Sequence, residues 1–193
     1  MDEFKEELRA ALSTGKVEVF QLRMKNTSDA EVIDVCHELI PLCHEYGAQF
    51  ILNDHVHLAT QVGASGVHIG IEDISLEKAR RMLGKNKIIG VSCYDDQERA
   101  IDAAEAGADY VAFGAFYDTQ TKTPRGRPSP DILKWWTTNS TTPCVAIGGI
   151  KSHNCAPLVA AGVDFIAVVT AIWDDPEGTA EAVEKMVKAI EIS

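Results

Sequence analysis

The chain has 193 residues and a mass of 21.0 kDa, with 46 % hydrophobic and 24 % charged residues. That is material for one domain with a sizeable core, and it excludes intrinsic disorder and low-complexity fibre. Eighteen Lys and Arg against 29 Asp and Glu leave a formal charge of −11. This charge repels phosphate backbones and anionic lipid, and so argues against general nucleic-acid binding and membrane attachment. Any phosphate chemistry needs a local site that overrides the global field.

The hydrophobic pattern alternates helix and strand along the whole chain. Phe4, Leu8 and Leu12 share one helical face over 2–14, and Gly15 stops that helix. A strand follows over 17–23, then a long helix over 28–46 opened by Ser28 and Asp29. Strands are expected at 49–54, 66–70, 88–93, 110–116, 144–150 and 165–170. Helices are expected between them, over 55–63, 75–84 with Ser75 as N-cap, 95–107, 129–138 and 154–162. A polar loop spans 117–128, and a last helix covers 176–191. The strands are short, apolar and β-branched, which is how parallel strands buried on both faces read. Repeated βα units imply an α/β fold, and their spacing suits a (β/α)8 TIM barrel over 1–193 as a single barrel domain. No GxGxxG follows the first strand, so a dinucleotide fold is disfavoured. Seven strands are visible where a barrel has eight. Either the first strand lies upstream of Met1 or the barrel is open at one seam, and an open seam offers a surface through which a homodimer could form.

No stretch approaches the ~20 apolar residues of a membrane span, and the start MDEFKEELRA is acidic and polar rather than secretory. The five cysteines, Cys36, Cys43, Cys93, Cys144 and Cys155, include no CxxC pair. Reduced, mostly buried thiols in a cytoplasmic protein are expected.

In such a barrel the chemistry lies at the C-terminal ends of the strands. The first strand ends in Gln21-Leu22-Arg23-Met24-Lys25. Alternation places Gln21, Arg23 and Lys25 on one face, toward the barrel mouth, and Phe20 and Leu22 toward the helices. The next ends carry Asn53-Asp54 and then His68-Ile69-Gly70, with Glu72-Asp73 just beyond. Two carboxylates beside cations suit Mg²⁺, which takes one or two carboxylates together with substrate phosphate and water. The alternative for each aspartate is to cap the following helix. Ser92 ends the fourth strand, and Asp118-Thr119-Gln120-Thr121-Lys122-Thr123 forms a hydroxyl-rich loop after the fifth. Gly148-Gly149 and Val169-Thr170 end the last two strands, where barrels of this kind bind phosphate. His55 and His57 form an HxH whose side chains diverge on a helix, and the pairs His37/His44 and Cys36/Cys43 lack the i, i+4 spacing of helical metal ligands, so all read as structural. The residues therefore suit a diphosphate substrate with Mg²⁺ and a second, monophosphorylated substrate.

In order and spacing, QLRMK, FILNDHVHLA, GASGVHIGIED, IIGVSC, AGADYVAFGAFYDTQTK, PCVAIGGI and AGVDFIAVVTAIW resemble the thiamine phosphate synthase family over residues 17–173. The resemblance implies a transferase that joins hydroxymethylpyrimidine diphosphate to a thiazole phosphate, carboxylated or not, releasing pyrophosphate. It implies that Gln21, Leu22, Arg23, Met24, Lys25, Asn53, Ser92 and Lys122 hold the pyrimidine diphosphate. Asp54 and Asp73 would hold Mg²⁺, and Thr119, Gln120, Thr121, Gly149, Val169 and Thr170 the thiazole phosphate. Arg23, Lys25, Lys122 and Ser92 would act on the departing pyrophosphate. Ile71 stands where that family usually has Gln, and Asp118 where it usually has Pro. Two other readings of the same residues are a thiazole tautomerase and a non-catalytic barrel that binds a phosphorylated ligand. The former would carry a His after the strand-five glycine, and here Ala115 follows Gly114.

Overall fold

The computed structural model describes residues 1–119 and 125–193. The described residues contain seven strands: β1 (Val19–Leu22), β2 (Gln49–Asn53), β3 (Gly66–Ile69), β4 (Ile88–Tyr94), β5 (Tyr110–Phe113), β6 (Cys144–Ile147) and β7 (Phe165–Ala167). All pair in parallel, in chain order, in one sheet that curls as part of a barrel. The helices are α1 (Asp2–Ser13), α2 (Asp29–Glu45), α3 (Val56–Val62), α4 (Leu76–Leu83), α5 (Gln97–Glu105), α6 (Asp131–Asn139), α7 (Ala156–Ala160), α8 (Thr170–Trp173) and α9 (Thr179–Glu191).

Local chemistry sets the helix starts. Ser28 and Glu31 form a reciprocal capping box at α2: the Ser28 side chain accepts from the Glu31 N–H, and Glu31 Oε2 accepts from the Ser28 N–H at 2.9 Å. Ser75 caps α4 as its position predicts, accepting from the Lys78 N–H at 3.3 Å. The helices bury their apolar faces on the outside of the sheet, where Leu39, Phe50, Ile89, Leu133 and Trp136 lie in one continuous core.

Among the described residues the sheet is open at one seam. No strand lies between β1 and β7 among the described residues. The helical layer closes across this gap, because α1 packs on α9 and the Thr179 hydroxyl donates to the Glu7 carbonyl at 2.6 Å. The strand layer does not close, so Val19 on β1 and Phe165 on β7 are each 44 % exposed.

Four predicted boundaries need correction, one of them the strand expected over 144–150, which ends at Ile147 before Gly148. The strand expected over 165–170 ends at Ala167, and Thr170 opens the short helix α8 instead. The strand expected over 110–116 stops at Phe113, before Gly114. The last helix starts at Thr179 rather than 176, after Gly178 at φ 94°. For the strands, a backbone turn ends the element inside a run of apolar residues, where hydrophobicity alone gives no boundary.

Candidate active site

Parallel pairing in chain order brings the strand C-termini to one rim. On β1, Phe20 and Leu22 are buried and Gln21 points to the opposite face, as alternation predicts. Arg23 and Met24 are half-buried and Lys25 is exposed, just past the strand. Leu22 and Met24 pack in or against the core, so at this rim they present main-chain rather than side-chain polar atoms.

β2 ends with the buried Asn53, and its register sets Asn53 beside His68 on β3. Asp54 follows at φ 66° and donates its N–H to the His68 carbonyl at 2.9 Å. This left-handed turn, which Asp tolerates better than most residues, carries the chain out of the sheet at the rim. After β3, Asp73 folds back so that its Oδ2 accepts the Gly70 N–H at 2.6 Å. Glu72 is paired with Arg125 instead. The exposed Asp118 is paired with Arg127 at 2.5 Å, so its charge beside the 117–128 loop is countered. Ile71 is 51 % exposed.

Inside the half-barrel lies a polar network that sequence reading missed. The buried His68 places Nε2 2.8 Å from Ser92 Oγ and Nδ1 2.9 Å from the Tyr110 hydroxyl. The His68 and Tyr110 rings stack at 5.6 Å. Gln21 hydrogen-bonds the same hydroxyl, while burial raises the Tyr110 pKa above its ordinary value and outweighs that bond. Ser92 is fixed a second time, as its carbonyl accepts from Arg99 Nε at 2.7 Å. Gln21 and Ser92 were candidates on their own. The signal for His68 was its place two residues before Gly70 in an otherwise apolar strand. Tyr110 gave none, because it starts a strand and reaches the site only through its length.

On the other side of the rim, β6 turns through Gly148 and Gly149, at φ 93° and 66°. A Cβ on Gly149 would lie 2.4 Å from the Asp118 carbonyl oxygen, so only glycine lets this turn seat against the loop after β5. The turn is held by the Tyr117 N–H donating to Gly148 O at 3.0 Å and by Asn154 Nδ2 donating to Gly149 O at 3.1 Å. Thr119 is half-buried nearby in sequence, and Gln120, Thr121 and Lys122 lie outside the described residues. Val169, half-exposed, and Thr170 form the turn from β7 into α8. A cleft of ≈ 290 Å³ beside Thr170 is lined in part by Lys151, Ser152, His153 and Lys185. A larger hollow of ≈ 510 Å³ lies between α1 and α2, bordered by Asp2, Asp34 and Glu38, away from the strand ends and with the wrong charge for a phosphate.

One correction concerns His55 and His57. They face the same carboxylate rather than diverging: His57 Nε2 is 2.8 Å from Asp29 Oδ2 and His55 Nδ1 is 3.7 Å from Oδ1. The helical argument fails because His55 lies before α3 at ψ 60°, outside helical geometry.

The chain is similar to known proteins along most of its length. The family model described as thiamine monophosphate synthase matches residues 1–172. A thiamine-phosphate synthase of Rhodospirillum centenum is 46 % identical over 176 residues, covering 91 % of this chain and 85 % of that protein. Another, of Erythrobacter litoralis, is 42 % identical over 181 residues, covering 92 % and 85 %. A solved thiamine phosphate pyrophosphorylase from Pyrococcus furiosus superposes with a TM-score of 0.86 at 34 % identity, over 97 % of this chain and 89 % of that one. Matched along nearly its whole length in sequence and in fold, the chain belongs to the thiamine monophosphate synthase family.

Proposed function

We propose that the chain is a transferase that joins hydroxymethylpyrimidine diphosphate to a thiazole phosphate, giving thiamine phosphate and pyrophosphate. The observation that carries this reading is the convergence on one rim of Arg23 and Lys25, of the Asp54 and Asp73 turns, and of the Gly148-Gly149 turn. Two separated anion-binding regions on one rim suit two phosphorylated substrates.

The bond between the pyrimidine methylene carbon and the diphosphate oxygen breaks, and the electron pair leaves with pyrophosphate. The thiazole nitrogen then donates its lone pair to that carbon, and no protein nucleophile is needed. Arg23 and Lys25 stabilise charge on the departing pyrophosphate, a role the same reading gives to Lys122. Asn53 and the Ser92 hydroxyl, oriented by His68, bind the pyrimidine diphosphate. The Gly149 turn, with Thr119, Gln120, Thr121, Val169 and Thr170, holds the thiazole phosphate and aims its ring.

The donor set fits Mg²⁺. Asp54 and Asp73 offer hard carboxylate oxygens, and Asp73 is fixed by the Gly70 N–H through only one of its two. These two residues would hold the ion, which when bound supplies positive charge to the leaving diphosphate. Ala115 argues against the tautomerase reading, since the buried methyl after Gly114 can move no proton.

Five free thiols, all buried, support a reducing, cytoplasmic setting. Among the described residues no helix is long and apolar enough to cross a membrane. The open seam supports pairing of two copies of this chain through the β1 and β7 edges, which carry the exposed Val19 and Phe165. The test of the reaction is a product assay with both substrates and Mg²⁺, in which thiamine phosphate is oxidised to fluorescent thiochrome.

A further inference from the structure

We propose that Asp29, His55 and His57 form a binding site for a late first-row divalent metal ion of the Zn²⁺ or Co²⁺ kind. One ligand atom from each residue lies within 4.8 Å of the other two. The Asp29 carboxylate turns Oδ2 to His57 Nε2 at 2.8 Å and Oδ1 to His55 Nδ1 at 3.7 Å. The imidazole centroids are 6.0 Å apart, so the rings flank a common point without stacking. Tetrahedral Zn²⁺ with bonds of ~2.0–2.2 Å needs donor atoms about 3.4 Å apart. Shifts of an ångström or so in side chains that are partly exposed bring this set to that spacing.

The donor chemistry distinguishes this site from the pair Asp54 and Asp73. Two imidazoles and a carboxylate favour Zn²⁺ or Co²⁺, whereas carboxylates alone favour Mg²⁺. The His57–Asp29 hydrogen bond requires a proton that the ion replaces: binding leaves Nε2 as a bare donor and releases a proton or moves it to Nδ1. The Asp29 and His57 side chains are 56 % and 54 % exposed and that of His55 only 19 %, so the remaining coordination positions face water. The backbone gives the site a consequence. Asp29 opens α2 just after the segment bearing Arg23 and Lys25, while His55 directly follows Asn53 and Asp54. An ion here ties together the two segments that supply one side of the rim.

Titration of the purified chain with Co²⁺ and calorimetry with Zn²⁺ test the proposal. The expected result is one equivalent of Zn²⁺ and a visible ligand-field spectrum with Co²⁺. Asp29→Asn, His55→Ala and His57→Ala should each weaken Zn²⁺ at least ten-fold and remove the Co²⁺ bands. His37→Ala/His44→Ala, at exposed positions elsewhere on α2, should change neither. Side-chain nitrogen spectra of the unaltered chain supply a readout that needs no variant: Zn²⁺ should shift the His55 and His57 resonances and leave those of His37 and His44 in place. Absence of one-equivalent binding, binding retained in the three single variants, or shifts at other histidines would each overturn the site. None of these results bears on the synthase reaction, which is read by its own product.

Discussion

The ring of Tyr110 covers Gly90 so closely that a Cβ at position 90 would lie 1.9 Å from the tyrosine Cζ. Glycine is therefore what allows a side chain from β5 to pass over β4 and reach His68. Gly90→Ala should displace the ring and cost about 1–3 kcal/mol by overpacking, seen as a lower denaturant midpoint. Tyr110→Phe keeps the ring and removes the hydroxyl with its bonds to the buried His68 and to Gln21, and should cost about 1–3 kcal/mol. If the network orients Ser92, both variants should also lower turnover, Gly90→Ala by more.

Arg23 and Lys25 stand at the rim rather than in the core, so their removal should affect chemistry and spare the fold. Replacing either with Ala should lower turnover roughly 10²-fold, the scale of losing one preorganised electrostatic contact. The thermal midpoint should stay close to that of the parent chain. Steady-state kinetics and a melting curve on the same samples check both statements.

Burial holds the thiols of Cys36 and Cys144 up at about 11, and those of Cys43 and Cys93 at about 12, against an ordinary 9.0. The folded state thus favours the neutral thiol. This contribution to stability is fully present below pH 9 and is lost as pH rises from 9 toward 11–12, because the unfolded chain sheds these protons first. Denaturant titrations from pH 7 to pH 11 should show the midpoint falling above pH 9. At pH 8 the native chain should resist thiol alkylation that proceeds freely in denaturant.

The exposed edges of β1 and β7 make a prediction about assembly. Light scattering on the eluting peak should give twice 21.0 kDa for the parent chain. Val19→Lys combined with Phe165→Lys should give a single copy, since charge on a strand edge blocks edge-to-edge pairing.

Much of this was legible in the sequence because it is local. The seven strands, their order and the residues at their C-termini follow from short apolar runs and the residues that end them. The capping positions Ser28 and Ser75 follow from hydroxyls placed before helical patterns. What was not legible depends on distance in sequence. Asp29 and His57 are 28 residues apart and meet only because β1 and β2 are neighbours. Tyr110 is 42 residues from His68, and their contact requires β3, β4 and β5 to be adjacent with a glycine between the two side chains. The ends of β5, β6 and β7 were missed for another reason. Gly114, Gly148 and the turn before Thr170 interrupt the backbone without interrupting the hydrophobic pattern.

The most direct test of the account is product formation by the purified chain. With hydroxymethylpyrimidine diphosphate, thiazole phosphate and Mg²⁺, it predicts thiamine phosphate, detected as thiochrome, and loss of that product with EDTA and in the Asp54→Ala/Asp73→Ala variant. A folded chain that binds both substrates and forms no product would contradict it, as would product that persists without metal and without both aspartates.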